Sequence, residues 1–89
     1  MPEETILEAP TPNPARGRTR VPLRLAEATR VRLSVYDVLG REVLVVQDGP
    51  MEAGFHRAEV DVSALPSGRY VLVMRTGTDR FSHPLVVAR

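Results

Sequence analysis

Apolar residues in this chain recur at every second position, in short runs closed by glycine and proline. Val21, Leu23 and Leu25 alternate with Arg20, Pro22 and Arg24, and Val31, Leu33 and Val35 alternate with Arg30, Arg32 and Ser34. Side chains on a strand point to opposite faces in turn, so each run offers one face to a core and one to water. A helix needs a period near 3.6, and the chain has room for one helical turn at most, at Ser63 to Leu65. Seven runs emerge, at about 4–9, 19–26, 29–37, 41–48, 55–61, 68–76 and 79–88. Two stretches, Glu42 to Val46 and Tyr70 to Met74, are nearly continuous in apolar residues, the pattern of central strands covered on both faces.

The breaks between runs carry turn chemistry. Asp37-Val38-Leu39-Gly40 is a hairpin connection in which Gly40 can take positive φ without a Cβ penalty. Asp48-Gly49-Pro50 is expected to end the fourth run. In Leu65-Pro66-Ser67-Gly68, proline presets φ and glycine relieves the chain after it. Thr76-Gly77-Thr78-Asp79 is a last short hairpin. Pro10, Pro12 and Pro14 fill a stretch that cannot be helix and is expected to stay out of the ladder. Pro22 and Pro84 interrupt strands, so each should lie at an edge or point its missing N–H outward. Many short strands with regular turns predict an all-β fold, a seven-stranded immunoglobulin-like antiparallel β-sandwich. Its expected core includes Val21, Leu23, Leu25, Val31, Leu33, Val35, Leu65, Tyr70 and Leu72.

Eighty-nine residues allow one domain. At roughly 0.05–0.15 kcal/mol per residue, net stability is about 4–13 kcal/mol. A deep substrate cavity would cut into so thin a core, which favours a binding or structural module over an enzyme. The twelve cations, all arginine, nearly balance eleven acids, and a formal charge of +1 is not the basic excess of a nucleic-acid binder. There is no cysteine, which excludes disulfides and thiolate chemistry. No apolar run approaches the ~20 residues that span a bilayer as a helix. The start, Met1-Pro2-Glu3-Glu4, is acidic and lacks the apolar stretch of a signal peptide, so an exported parent would carry its signal upstream.

Candidates for chemistry are few. Nucleophilic catalysis needs a base and an orienting group beside the nucleophile, and the only histidines, His56 and His83, stand apart on different runs. Two histidines without a third ligand at suitable spacing make a poor zinc site. Asp61 is expected to end its strand and bond the following turn. No glycine-rich phosphate cradle is present, so no cofactor is expected. Sugar binding calls for exposed aromatic faces, and a core this small is expected to need most of Tyr36, Phe55, Tyr70 and Phe81.

Several motifs nonetheless stand in order along the chain: Pro12-Asn13-Pro14, Val35-Tyr36-Asp37-Val38-Leu39-Gly40-Arg41-Glu42-Val43, Ala53-Gly54-Phe55-His56 and Leu65-Pro66-Ser67-Gly68-Arg69-Tyr70. Together they resemble the C-terminal sorting domain carried by cargo of the bacterial type IX secretion system (the Por secretion system type A sorting domain). The chain departs from that pattern at Val60, where the family often has tryptophan, and at His83-Pro84, where it often has two lysines. The resemblance implies residues 1–6 as a linker to upstream cargo and 7–89 as the sorting domain, without catalytic or metal residues. It implies outer-membrane secretion machinery and a surface sortase-like peptidase as partners, no nucleic acid, and a secreted or cell-surface destination reached through the periplasm. By the same resemblance, Gly68, Tyr70, Leu85, Val86, Val87 and Arg89 are candidates for recognition by the machinery, while Tyr36, Asp37, Gly40 and Arg41 form a structural hairpin. The immunoglobulin-like domain of flagellar hook-capping proteins is a rival with a similar hairpin, but it usually inserts a longer glycine-rich loop where this chain has only Val62 to Ser67. An immunoglobulin-like structural or ligand-binding accessory module of a surface enzyme is the alternative from another class.

Overall fold

The computed structural model describes residues 2–88. These form eight strands and no helix: β1 (Ile6–Leu7), β2 (Thr11–Arg16), β3 (Arg18–Leu25), β4 (Thr29–Asp37), β5 (Glu42–Met51), β6 (Gly54–Asp61), β7 (Gly68–Arg75) and β8 (Arg80–Val87). In the first sheet β3 pairs with β6 on one side and with β1 and β2 on the other. The second sheet runs β5, β4, β7, β8, and β2 joins its far edge. The result is an immunoglobulin-like β-sandwich, with β2 passing from one sheet to the other. Every ladder is antiparallel except the β2–β8 pairing.

Alternation dictates the core. Val21, Leu23 and Leu25 of β3 face Val31, Leu33 and Val35 of β4 across the layer, joined by Leu65, Tyr70 and Leu72, and all nine expected positions belong to one buried cluster. Leu7, Ala15, Val60, Val62, Met74, Leu85 and Val87 complete it. The core is aliphatic, contrary to the expectation that it would absorb most of the aromatics. Tyr70 is the only aromatic in the buried set, Phe81 packs from the side, Tyr36 lies on the outer face, and Phe55 is 74% exposed. Branched aliphatics alternate on a pleated face and fill a thin layer without rings.

Four local expectations need correction. Seven strands have six or more residues, but the first of these is Thr11–Arg16, and only Ile6–Leu7 of the 4–9 run is paired. The proline-rich stretch does enter the ladder, sparsely, through Thr11–Arg20, Arg16–Arg18 and Ala15–Val87. The apolar run from Glu42 is not central. β5 is an edge strand paired only with β4 and interrupted by two bulges, and its Val43 and Val45 face outward, 38% and 46% exposed. Asp48-Gly49-Pro50 does not end that strand, which continues to Met51 with Gly49 buried opposite Val31. The Tyr70–Met74 run is central as expected, with β4 and β8 on its two sides.

The other prolines sit where their missing donors are harmless. The Pro22 carbonyl accepts the Glu8 N–H at 2.9 Å, so Pro22 faces the break between β1 and β2. Pro84 has its carbonyl on the outer edge of β8, away from β7.

Candidate functional site

The strand register brings motifs from four parts of the chain to one end of the second sheet. Asp37 of β4 pairs with Tyr70 of β7, which pairs with Leu85 of β8. The next row is Tyr36, Val71 and Pro84. Asn13 of β2 lies against the same stretch of β8, donating from Nδ2 to the Pro84 carbonyl at 3.1 Å and accepting the Val86 N–H on Oδ1 at 2.9 Å. Non-consecutive strands build this convergence, which is why no local reading of the chain contains it.

The hairpin is a self-contained piece of turn chemistry. The Asp37 carbonyl accepts the Gly40 N–H at 3.0 Å, and its Oδ1 accepts the N–H groups of Leu39 at 2.9 Å and Arg41 at 3.0 Å. Arg41 Nε donates to Oδ2 at 2.8 Å. The Arg41 backbone N–H, foremost among these donors, holds the Asp37 carboxyl below its ordinary range. Gly40 has φ +83°, and nothing lies within 4 Å of where a Cβ would stand. A substitution therefore meets backbone strain alone. Gly40→Val is expected to destabilise the fold by more than about 1 kcal/mol, because a β-branched residue resists positive φ. Gly40→Asn should cost distinctly less, since asparagine tolerates that region. Chemical denaturation of both variants checks the ordering, and equal midpoints would contradict it.

The second motif is a tyrosine corner. At the start of β7 the Tyr70 hydroxyl donates to the Pro66 carbonyl, four residues upstream, at 2.6 Å while its ring is buried. Gly68 opens β7 half-buried, opposite Val87. Leu85 and Val87 point into the core at 0% and 2% exposure. Val86 is half-buried on the opposite face of β8, with its N–H held by Asn13. Arg89 lies outside the described residues. Of the six recognition candidates, then, Tyr70, Leu85 and Val87 lie in the buried core.

Above the hairpin, the outer face of the second sheet carries a polar network that single residues did not announce. Arg32 donates from Nε to Glu42 at 3.0 Å and from Nη1 to Asp48 at 2.9 Å. The Tyr36 hydroxyl accepts from Arg75 at 2.7 Å and reaches Glu42 at 3.4 Å, and the Arg75 guanidinium lies 5.8 Å from the Tyr36 ring centre. The Arg32 hydrogen bond, with help from Tyr36 and against the cost of desolvation, holds the Glu42 carboxyl down at about 2. A carboxylate with a lowered folded-state pKa stabilises fully above its unfolded value of 4.5 and loses that contribution as pH falls toward about 2. Asp37 and Asp61, also lowered, act in the same sense. Thermal midpoints should therefore decline through that acid window, and Glu42→Gln should flatten the decline. A variant whose acid profile matches the parent would assign the effect elsewhere.

His56 Nε2 donates to the Glu52 carbonyl at 2.7 Å, and His83 Nε2 donates to the Leu7 carbonyl at 2.6 Å. The carbonyls can only accept, which fixes the proton on each Nε2. Both rings thus brace the open sides of the sandwich, between β5 and β6 and between β8 and β1. Asp61 ends β6 and accepts the Ser63 N–H at 3.0 Å, the expected turn bond. Among the described residues no three His, Cys, Asp or Glu side chains are grouped to hold a metal ion.

Fold and motifs together define a small immunoglobulin-like module in which three of the four motifs gather at one end of the second sheet, while Ala53-Gly54-Phe55-His56 opens β6 in the first. The chain belongs to the secretion system C-terminal sorting domain family, the type IX tail, whose sequence profile matches residues 11–88. A search of curated proteins found no significant match. The matched span begins at the first residue of β2 and ends one residue past β8, so it contains every motif described above.

Proposed function

We propose that this domain is the non-catalytic address of a larger cargo protein, directing it across the outer membrane through the type IX secretion machinery. The observation that carries this reading is the family match over residues 11–88. In this reading the cargo crosses the inner membrane with its own signal peptide. The outer-membrane machinery then binds the folded tail, and a surface sortase-like peptidase removes it, leaving the cargo secreted or at the cell surface. The end of the second sheet that carries the hairpin, the tyrosine corner and β8 is the surface presented. Gly68 and Val86 are the recognition candidates among the described residues that lie outside the buried core cluster, Arg89 is kept as a candidate from the family pattern, and Tyr70, Leu85 and Val87 hold that surface in shape.

The test is a fluorescent protein behind a signal peptide, fused to residues 1–89 and expressed in a bacterium that has this system. The fusion should reach the surface or medium. The same fusion without the tail, or with it in a machinery-deficient strain, should stay in the periplasm. Export that ignores either the tail or the machinery would sink the sorting reading. An accessory structural module would then take its place, and one observation already favours that second reading: Asp37 and Tyr70, at the heart of the two most recognisable motifs, both have folding roles.

A further inference from the structure

The outer edge of β8 is not free. Its Val86 N–H and Pro84 carbonyl are engaged by the two ends of the Asn13 amide, and the Ala88 N–H donates to the Ala15 carbonyl at 2.9 Å. Pro12 and Pro14 flank Asn13 and have no N–H to give. The Asn13 side chain thus stands in for a main-chain peptide group, offering one donor and one acceptor where a regular strand would offer its own. The imitation is thin. Ala15 and Val87 are the one β2–β8 register pair, and both Asn13 bonds are exposed to water. β2 has other anchors on the first sheet, through Thr11–Arg20 and Arg16–Arg18 pairing and a 2.7 Å bond from Thr19 Oγ1 to the Pro12 carbonyl. Solvent-exposed hydrogen bonds on a sparsely paired strand open at low free energy.

We propose that residues 11–16 are a displaceable cover, and that the β8 edge beneath them is the docking site for an extended segment of a partner protein. That segment takes over the bonds now made by the Asn13 amide and the Ala15 carbonyl. Strand addition gives affinity through main-chain bonds and specificity through alternate side chains. Ala15 is fully buried against the core, so the incoming strand must place a small apolar side chain in its position. A regular strand also meets the β8 edge with main-chain groups held in place by its own backbone, where the cover must order a side-chain amide to make the same bonds. The identity of the partner, a component of the secretion machinery, rests on the sorting reading, whereas the cover itself is a property of the fold.

Two experiments on the full chain decide this. In native-state amide exchange, Asn13→Ala should speed the Val86 and Ala88 amides by about tenfold or more, the effect of losing one local hydrogen bond. Amides of the central β4–β7 ladder, such as Val35 and Leu72, should keep their rates. Unchanged rates at Val86 and Ala88, or equal acceleration everywhere, would overturn the cover. In the export assay, Ala15→Cys combined with Val87→Cys locks the cover by a disulfide between register partners, in a chain with no other cysteine. The oxidised pair should hold the fusion in the periplasm, while the same pair kept reduced is exported. Asn13→Ala should be exported at least as fast as the parent, which keeps the test open if the locked pair folds poorly. Export of the locked pair at the parent rate, or loss of export in a folded Asn13→Ala domain, would overturn the docking site. If the parent fusion itself is not exported, the sorting reading falls, and amide exchange still decides the cover.

Discussion

Leu72→Ala should remove about 2–5 kcal/mol of unfolding free energy, the range for deleting a buried leucine side chain in a core that collapses only partly. Leu72 sits on the central strand of the second sheet, between Val35 of β4 and His83 of β8, with 0% of its surface exposed. Strands on both sides hold the backbone, so the cavity has little freedom to close. Against a total of about 4–13 kcal/mol, such a loss leaves a barely folded domain. Val71→Ala, one residue along on the outer face and 38% exposed, is the control and should stay within about 0.5 kcal/mol to 1 kcal/mol of the parent. Denaturant titration of the pair separates position from composition. Similar midpoints for the two variants would mean that the face assignment of β7 is inverted.

That assignment shows what the sequence makes legible. β3 and β4 read cleanly because strict alternation admits one inward face, and their six alternating apolar residues all lie in the core. β5 misleads because its apolar run mixes core-packing residues, Leu44 and Val46, with outward ones, Val43 and Val45. Alternation sorts one from the other only once the strand is known to lie at an edge, and that depends on its pairing with β4 alone. β2 escapes because proline argues against a ladder, whereas the donor that completes this one belongs to the Asn13 side chain. A polar amide between two residues lacking N–H groups is a signal that residue-level reading can use. The candidate site divides in the same way. The turn roles of Asp37 and Gly40 follow from local chemistry, while the alignment of Asp37, Tyr70 and Leu85 in one row depends on strand order.

Removing residues 80–89 should abolish cooperative folding, and this bears on how any loss of export is read. β8 supplies Leu85 and Val87 to the core, pairs along the whole length of β7, and carries His83, which ties β1 to the second sheet. Without it the central strand becomes an edge, and the inward faces of Leu72 and Met74 open to water. Losing two fully buried aliphatic side chains removes roughly 3–6 kcal/mol of apolar burial before any lost main-chain bond is counted. For a domain of this size that is comparable to its whole stability. The truncated chain should show no sigmoidal melt and should be cut rapidly by protease. A truncated fusion held in the periplasm would therefore leave two explanations entangled, a missing address and a missing fold. Leu72→Ala disentangles them, because it weakens the fold while leaving every outward group of β8 in place. If the cell exports Leu72→Ala in proportion to its folded fraction, the machinery reads a folded surface. If export of Leu72→Ala is complete despite substantial unfolding, the address is the linear C-terminal segment, and the sandwich serves only to carry it. A cooperative, protease-resistant truncated domain would contradict the role assigned to β8 in the core.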